Sequence, residues 1–364
     1  MKNLLITAIL IFAFNNIIAQ YDFSGMPVNQ TIEMHNSNNA KDTYIITPSR
    51  IINVIPSPIE YIADITFDGN NILAEGYNEY QIYKLDTATG NIINTIPTDI
   101  KRPYGLCFDG NNIWILDNDN KEIKQVNPID GSVIKTISIN SSQDSYPTGL
   151  TYMNKELWYN DAIGANASLS GDLTHNIDTL GQEIQIFPSI GGYPSGLTYD
   201  GTYLWSSDNV EQLIHQIDPV SFEVIHTIEA PGGIFPNGLA WDGQYLWVAN
   251  NDADSIYQIC IDFNTNYETQ ETNTGLEFNV FPNPVTDYVN INFNIKSDSY
   301  TELAIYNSKG QLVNFIACNL LKKGEHHYRW DGKDSQGIQV SNNIYYCRMI
   351  CDNKVYTKKL VLLR

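Results

Sequence analysis

Oxygen-bearing side chains recur at one phase of this chain. Asp117, Asp161, Asp208 and Asn250 each stand three residues beyond a tryptophan (Trp114, Trp158, Trp205 and Trp247). Gathered in a ring, they would hold Ca²⁺ or another hard cation through oxygen coordination. A periodic Asp or Asn also has a plainer role, accepting backbone N–H groups in its own turn. Two further acids break the period. Asp64 stands where later copies have Gly105, Gly149, Gly196 and Gly238, and Glu75 stands where the second copy has Leu116. Both should point toward, or sit just within, the mouth lined by the other four. Two close carboxylates can divide into acid and base, one with a raised pKa, or serve as two metal ligands. The alternative is a degenerate first copy with ordinary surface acids. These six residues are the candidate ligand-binding set, and no catalytic residue is assigned.

The copies that position them begin with an aromatic-Asp-Gly phrase. Phe67-Asp68-Gly69, Phe108-Asp109-Gly110, Tyr152-Met153-Asn154, Tyr199-Asp200-Gly201 and Trp241-Asp242-Gly243 follow one another 41, 44, 47 and 42 residues apart. In four copies Pro-x-Gly-Leu begins five residues before the aromatic, as at Pro103-Tyr104-Gly105-Leu106. A period in the forties made of short strands and Asp-Gly turns predicts a β-propeller with one blade per copy. In the second copy the strands fall at Leu106–Phe108, Ile113–Leu116, Ile123–Val126 and Val133–Ile137. The tryptophans are expected between blades. The last copy lacks a fourth strand, and Ile51 to Pro56 reads as an orphan strand able to supply it and close the ring. Five blades result. A sixth would require Thr43 to Thr47 and other N-terminal residues to build an irregular blade. An insertion at about Ala162 to Thr174, rich in Gly, Ala and Ser, is expected to overhang the mouth as a lid or a neutral loop.

The termini and composition bound the setting. Residues 1–19 read as a secretory signal: Lys2, the apolar run Leu4 to Phe14, and a cleavage point at Ala19-Gln20. No segment is long enough to span a bilayer as a helix. The expected order is a polar segment at 20–49, a propeller at 50–263, a linker at 264–276 and a second domain at 277–364. Residues 1–276 carry 10 Lys+Arg against 33 Asp+Glu, or −23, and residues 277–364 carry 11 against 8, or +3, summing to the net −20. Such a propeller repels nucleic acid and suits cations, cationic groups or neutral sugars, although solubility alone also explains acidity. Five Cys form no disulfide scaffold and no Cys-x-x-Cys zinc site. One bridge is open to Cys318 with Cys347 or Cys351, while Cys107 and Cys260 read as buried thiols. His175 alone lies near the insertion, and no Ser-His-Asp, phosphate-loop or His-Glu-x-x-His pattern is present.

Phe281-Pro282-Asn283-Pro284, Leu303-Ala304-Ile305-Tyr306 with Gly310, and the closing Lys358-Lys359-Leu360-Val361-Leu362 carry a resemblance. Residues 277–364 resemble the C-terminal sorting domain of proteins exported by the type IX secretion system of Bacteroidota. Trp330-Asp331-Gly332-Lys333-Asp334 and Gly337 are similar to the immunoglobulin-like domain of the flagellar hook-capping protein. One departure is Asn342-Asn343 where a Gly commonly precedes the late Tyr. The resemblance implies a β-sandwich read by the export machinery and a secreted or outer-membrane-surface protein. The repeat itself resembles the NHL-type and gluconolactonase-like propellers, and Leu73-Ala74-Glu75-Gly76 resembles the plant-type glutaminyl cyclotransferase, whose Phe-Thr-Gln-Gly-Leu is missing here. Three functions are therefore carried forward. The first is a surface propeller binding a small ligand or glycan at its mouth; the second is a metal-assisted hydrolase, lactonase or cyclotransferase using Asp64 and Glu75; the third is a structural surface protein.

Overall fold

The computed structural model describes residues 30–35, 41–47, 49–77, 79–141, 145–163, 172–261, 276–335, 337–351 and 354–364. The expected signal, most of the polar N-terminal segment and nearly all of the linker lie outside them. Among the described residues there is no helix long and apolar enough to cross a membrane.

Three strands precede the first blade: β1 (Gln30–His35), β2 (Lys41–Thr47) and β3 (Arg50–Pro56). Blade one is β4 (Ile62–Phe67), β5 (Ile72–Gly76), β6 (Gln81–Leu85) and β7 (Ile92–Pro97). Blade two is β8 (Pro103–Phe108), β9 (Ile113–Asp117), β10 (Glu122–Val126) and β11 (Val133–Ser138). Blade three is β12 (Ser145–Met153), β13 (Glu156–Ile163), β14 (Leu173–Asp178) and β15 (Glu183–Pro188). Blade four is β16 (Pro194–Tyr199), β17 (Leu204–Asp208), β18 (Leu213–Ile217) and β19 (Val224–Glu229). Blade five has β20 (Pro236–Trp241), β21 (Leu246–Asn250) and β22 (Ser255–Cys260) from the end of the repeat, and β3 is hydrogen-bonded to β22 as its fourth strand. The ring thus has five blades and is closed by the N-terminal strand. Thr43 to Thr47 builds no sixth blade. β2 runs parallel to β19, with Ile46 opposite Thr227, and β1 pairs onto β2, so both extend the outer edge of blade four.

Apolar faces of successive blades meet in separate clusters. Trp114 and Leu116 of blade two pack with Leu150 and Leu157 of blade three, and Trp158 packs with Leu197 and Leu204 of blade four. Trp247 and Ile256 of blade five join Ile55 of β3 and Ile62, Ile65 and Ile72 of blade one. The tryptophans fill the interfaces as expected, because a residue repeated in every blade serves the contact repeated between blades.

The Asp of each Asp-Gly turn has a double task that its spacing alone does not announce. Asp200 Oδ1 accepts the N–H groups of Thr202 and Tyr203 at 2.8 and 2.7 Å, and Oδ2 accepts Trp205 Nε1 at 2.7 Å. Asp109 and Asp242 hold Trp114 and Trp247 in the same way. In blade one Leu73 replaces the tryptophan, and Lys84 takes the free oxygen of Asp68 at 2.6 Å. In blade three Met153 replaces the Asp, and Trp158 Nε1 is buried without a hydrogen-bond partner. Asp200→Ala should therefore cost about 1–3 kcal/mol by orphaning a buried indole N–H. A thermal melt unchanged from wild type would refute that role.

The chain divides into two compact units, the second comprising Tyr257–Arg364 with Arg50–Val54 and Gln244–Leu246. Its core is a sandwich of a three-stranded and a four-stranded sheet. β23 (Phe278–Phe281), β24 (Val289–Ile295) and β27 (Gly324–Trp330) form one sheet. β25 (Ser299–Asn307), β26 (Leu312–Leu321), β28 (Ile344–Cys351) and β29 (Lys354–Val361) form the other. Val289, Ile291, Leu303, Ile305, Cys347 and Leu360 fill the space between them. β24 alternates strictly, with Val289, Ile291, Phe293 and Ile295 buried, and the short strand Phe278–Phe281 precedes it. The cysteines also differ from expectation. Cys260 is disulfide-bonded to Cys318, and Cys107, Cys347 and Cys351 are buried free thiols. Pairing depends on spatial proximity across 58 residues of sequence, which spacing cannot supply.

Candidate functional site

The innermost strands crowd so closely that glycine is required where they meet. A Cβ added at Gly105 would lie 2.8 Å from Leu150 Cβ, at Gly149 2.0 Å from Ser195 O, and at Gly196 2.5 Å from Asn237 O. At Gly238 it would meet Ile65 N at 2.7 Å and Asp64 Cα and Oδ1 at 2.9 Å. These approaches run round the ring from blade two to blade one and mark the axis. In blades one to four a register shift at this level bends the inner strand, as a β-bulge does.

Asp64 occupies the fifth position of that ring and is wholly buried, not set in an open mouth. Its Oδ1 accepts the Ile65 N–H at 2.8 Å and its Oδ2 accepts the Leu106 N–H at 2.9 Å. The backbone N–H groups of Leu150 and Leu239 also donate toward it. One carboxylate is thus gripped by blades one, two, three and five. Burial raises its pKa well above the usual carboxylate range, and the four N–H groups oppose that shift.

Glu75 lies directly opposite Asp64 across the β4–β5 pair and is 1% exposed. Opposed residues of an antiparallel pair share a face. Neither Glu75 oxygen has a hydrogen-bond partner of good geometry. Burial first, and then the Asp64 charge, push its carboxyl well up, with the Gly105 N–H a smaller opposing influence. Glu75, poor in donors, is the partner more readily protonated, while the N–H groups around Asp64 favour its charged form. The two are therefore neither surface acids nor an open pair of ligands. Burial, then Asp64, Asp109 and Glu75, push the nearby Cys107 thiol up as well, so it is no thiolate nucleophile.

An acid whose folded pKa lies above its unfolded value binds its proton more tightly when folded. The stability it contributes is complete below about pH 4 and is lost as pH rises through the folded value. Glu75→Gln should therefore flatten the fall in stability as pH rises above the ordinary carboxylate range and raise the melting temperature at alkaline pH. Urea unfolding at several pH values checks this, and parallel wild-type and variant curves would exclude a buried, protonated Glu75.

The periodic positions behave as turn acceptors. Asp208 accepts the N–H groups of Tyr193 and Glu211 at 2.7 and 2.5 Å, and Asn250 accepts Ala253 N–H at 3.0 Å. Asp117 accepts Asn120 N–H at 3.2 Å and lies 3.3 Å from Lys124 Nζ. Asp161 differs: burial raises its pKa, Ser145 and Ser141 hydrogen-bond to it, and its Oδ1 has no partner. Among the described residues no group of three or more His, Cys, Asp and Glu is placed to hold a metal ion. Among the described residues each of these side chains has hydrogen-bond partners within its own blade. The insertion falls largely on 164–171, outside the described residues.

The mouth carries a further set of side chains at a phase just outside Pro-x-Gly-Leu. The residue before each Pro-x-Gly-Leu is Arg102, Tyr146, Tyr193 or Phe235, and Tyr61 is its equivalent in blade one. Tyr77 and Tyr104 meet edge to face with centroids 4.8 Å apart. Arg102 lies 5.4 Å from the Tyr77 ring centre, donates to its hydroxyl at 3.2 Å and pairs with Asp119 at 3.2 Å. Lys121 lies 5.7 Å from the Tyr146 ring centre and donates to Asn118 Oδ1 at 2.9 Å. Burial pushes the Tyr193 hydroxyl up to about 12, with Tyr77, Tyr146 and Asp172 adding to the shift. For Tyr146 and Tyr193 the signal is an aromatic or Arg at one fixed phase, one residue outside the phrase that defines the copy, whereas Tyr77 and Tyr104 stand at no repeated phase.

Residues 285–353 match the FlgD Ig-like domain. Among solved structures, the glutaminyl cyclase of Myxococcus xanthus is similar at 15% identity and a TM-score of 0.48, over 59% of this chain and 96% of that one. No curated protein matches the chain in sequence.

Proposed function

We propose that this protein is an exported β-propeller that binds a small ligand or glycan at its axial mouth, with residues 277–364 serving as the type IX sorting domain. The tyrosines beside the inner strands, Tyr77, Tyr104, Tyr146 and Tyr193, carry the binding part. Tyr146 is exposed and Tyr77, Tyr104 and Tyr193 are half-buried, and rings already held by neighbouring blades need little further ordering to meet a ligand, which lowers the cost of binding. The sorting part rests on the C-terminal motifs and the FlgD Ig-like match. The NHL-type and gluconolactonase-like resemblance belongs with the same proposal. Hydrogen exchange with and without CaCl₂ and a panel of neutral oligosaccharides tests binding. A ligand should slow exchange at Arg102–Leu106, Ser145–Leu150 and Tyr193–Leu197, and protection confined to other segments would sink the mouth as the site. Removing 277–364 should leave a propeller that accumulates inside the cell envelope; surface delivery of that truncated chain would end the sorting assignment.

A second function is favoured by one observation, the two buried and unpartnered oxygens of Glu75. Buried polar groups are satisfied unless they have other work. A protonated carboxyl beside a charged one is suited to general acid–base catalysis on a lactone or an N-terminal glutaminyl peptide. Turnover of either class by wild type and its loss in Glu75→Gln would favour the enzyme. Equal turnover in both would remove Glu75 from it.

A further inference from the structure

We propose that blades four, five and one present an open apolar arc on the mouth face, which docks an extended protein segment carrying apolar and basic side chains. The arc uses none of the four tyrosines on which the ligand site above rests, so the two stand or fall separately.

Five large apolar side chains face water in loops that precede the first strand of a blade or follow its second. Val210 of blade four, Ile234 and Phe235 of blade five, and Tyr61 and Tyr80 of blade one are each 39–61% exposed. Hydrogen bonds tie these loops into one surface. Within blades, the Tyr61 carbonyl accepts the Tyr77 N–H at 3.0 Å and the Phe235 carbonyl accepts the Asn251 N–H at 3.2 Å. Between blades, Asn209 Nδ2 donates to Asn237 Oδ1 at 3.0 Å, and Asn237 Nδ2 donates to the Ile62 carbonyl at 3.1 Å. Asn209 precedes Val210, Asn237 follows Phe235 by two residues, and Ile62 follows Tyr61. The relay therefore sets the exposed side chains of three consecutive blades next to one another. A lone exposed apolar residue is ordinary, whereas a connected set rimmed by polar groups marks an interaction surface.

Phe235 supplies an independent observation. Of the residues at its phase (Tyr61, Arg102, Tyr146, Tyr193 and Phe235) it alone has a left-handed backbone, with φ 63°. A bulky residue is strained there, and such strain clusters at ligand clamps and other functional positions. With half of its surface in water, the ring gains little from the chain's own packing. Charge then selects the partner. Residues 57–61, 76–80, 209–212, 230–235 and 250–255 contain Glu60, Glu79, Glu211, Asp252 and Asp254 and no Lys or Arg. Aromatic anchors within a polar rim are the anatomy of a protein interface, and a rim of one sign favours a partner of the other. Val210 and Ile234 offer no ring on which a sugar could stack, so apolar side chains suit the arc.

Two peptides of equal length test this, one alternating leucine with lysine and the other leucine with glutamate, each titrated calorimetrically into the full chain. The lysine peptide should bind about tenfold or more tightly than the glutamate peptide, and less tightly as salt rises. Tyr61→Ser and Phe235→Ser should each weaken that binding about tenfold or more, as loss of an interface anchor does. The combined variant Ile129→Ser/Leu180→Ser/Val220→Ser changes exposed turn tips at the opposite ends of blades two to four and should bind like wild type. Circular dichroism establishes that all of these variants fold. Equal affinity for the two peptides, or no binding of the lysine peptide, would overturn the partner class. Binding untouched in Tyr61→Ser and Phe235→Ser, or lost only in the combined variant, would overturn the arc as the docking surface.

Discussion

Asp64→Asn should lower the melting temperature by about 6–12 °C, equivalent to roughly 3 kcal/mol for a domain of this size. The carboxylate accepts N–H groups from Ile65 and Leu106, with Leu150 and Leu239 also donating toward it. An amide offers one acceptor oxygen and turns two N–H donors toward groups that are themselves donors. The loss is therefore the cost of stranding buried N–H groups, about 1–3 kcal/mol each, in addition to a lost charge-assisted bond. Asp64→Gly would restore the residue that the other blades carry and should still destabilise, because it leaves those N–H groups facing an empty axis. Differential scanning calorimetry decides, and a melting point within a degree of wild type would show that Asp64 clamps nothing.

Deleting Ile51 to Pro56 should cost more still. Without β3, β22 becomes an unpaired edge, and the blade-five-to-one cluster loses Ile55, which is 1% exposed. One fully buried Ile contributes about 1.5–3 kcal/mol, and the strand's backbone hydrogen bonds and the newly wetted neighbours add to it. Deleting Gln20 to Asn39 removes β1, which pairs only at the outer edge of blade four. Thermal unfolding of the two deletions should therefore separate widely. Equal melting temperatures would refute closure of the ring by β3.

The architecture was legible because its signals are local. Asp-Gly turns, a Trp at fixed phase and Pro-x-Gly-Leu each encode a short strand or its end, and their period fixes the blades. Asp64 and Glu75 were found as departures from that period, yet their burial was not, because depth depends on five strands converging that lie far apart in sequence. The same limit hid the second role of Asp109, Asp200 and Asp242. An Asp in a turn reads as a turn residue, and nothing local reveals that its other oxygen holds the tryptophan five residues on. Tyr146 and Tyr193 were missed for a different reason: Arg102 interrupts the aromatic series, so the phase was not seen as periodic. The partner of Cys260 lay beyond any local signal.

Closure of the ring by its earliest strand also orders events in time. β3 ends at Pro56, and its partner β22 is complete only at Cys260. At about 5–20 residues per second, synthesis leaves β3 without its partner for roughly 10–40 s. Pairing over so long a separation is slow even afterwards, since the loop must close before the contact rewards it. Blades one to four can assemble by adding neighbours in sequence, but the circle stays open until the chain has passed its last repeat. The nascent protein therefore remains unlatched for most of its synthesis, an interval in which it can still be threaded or held by another machine.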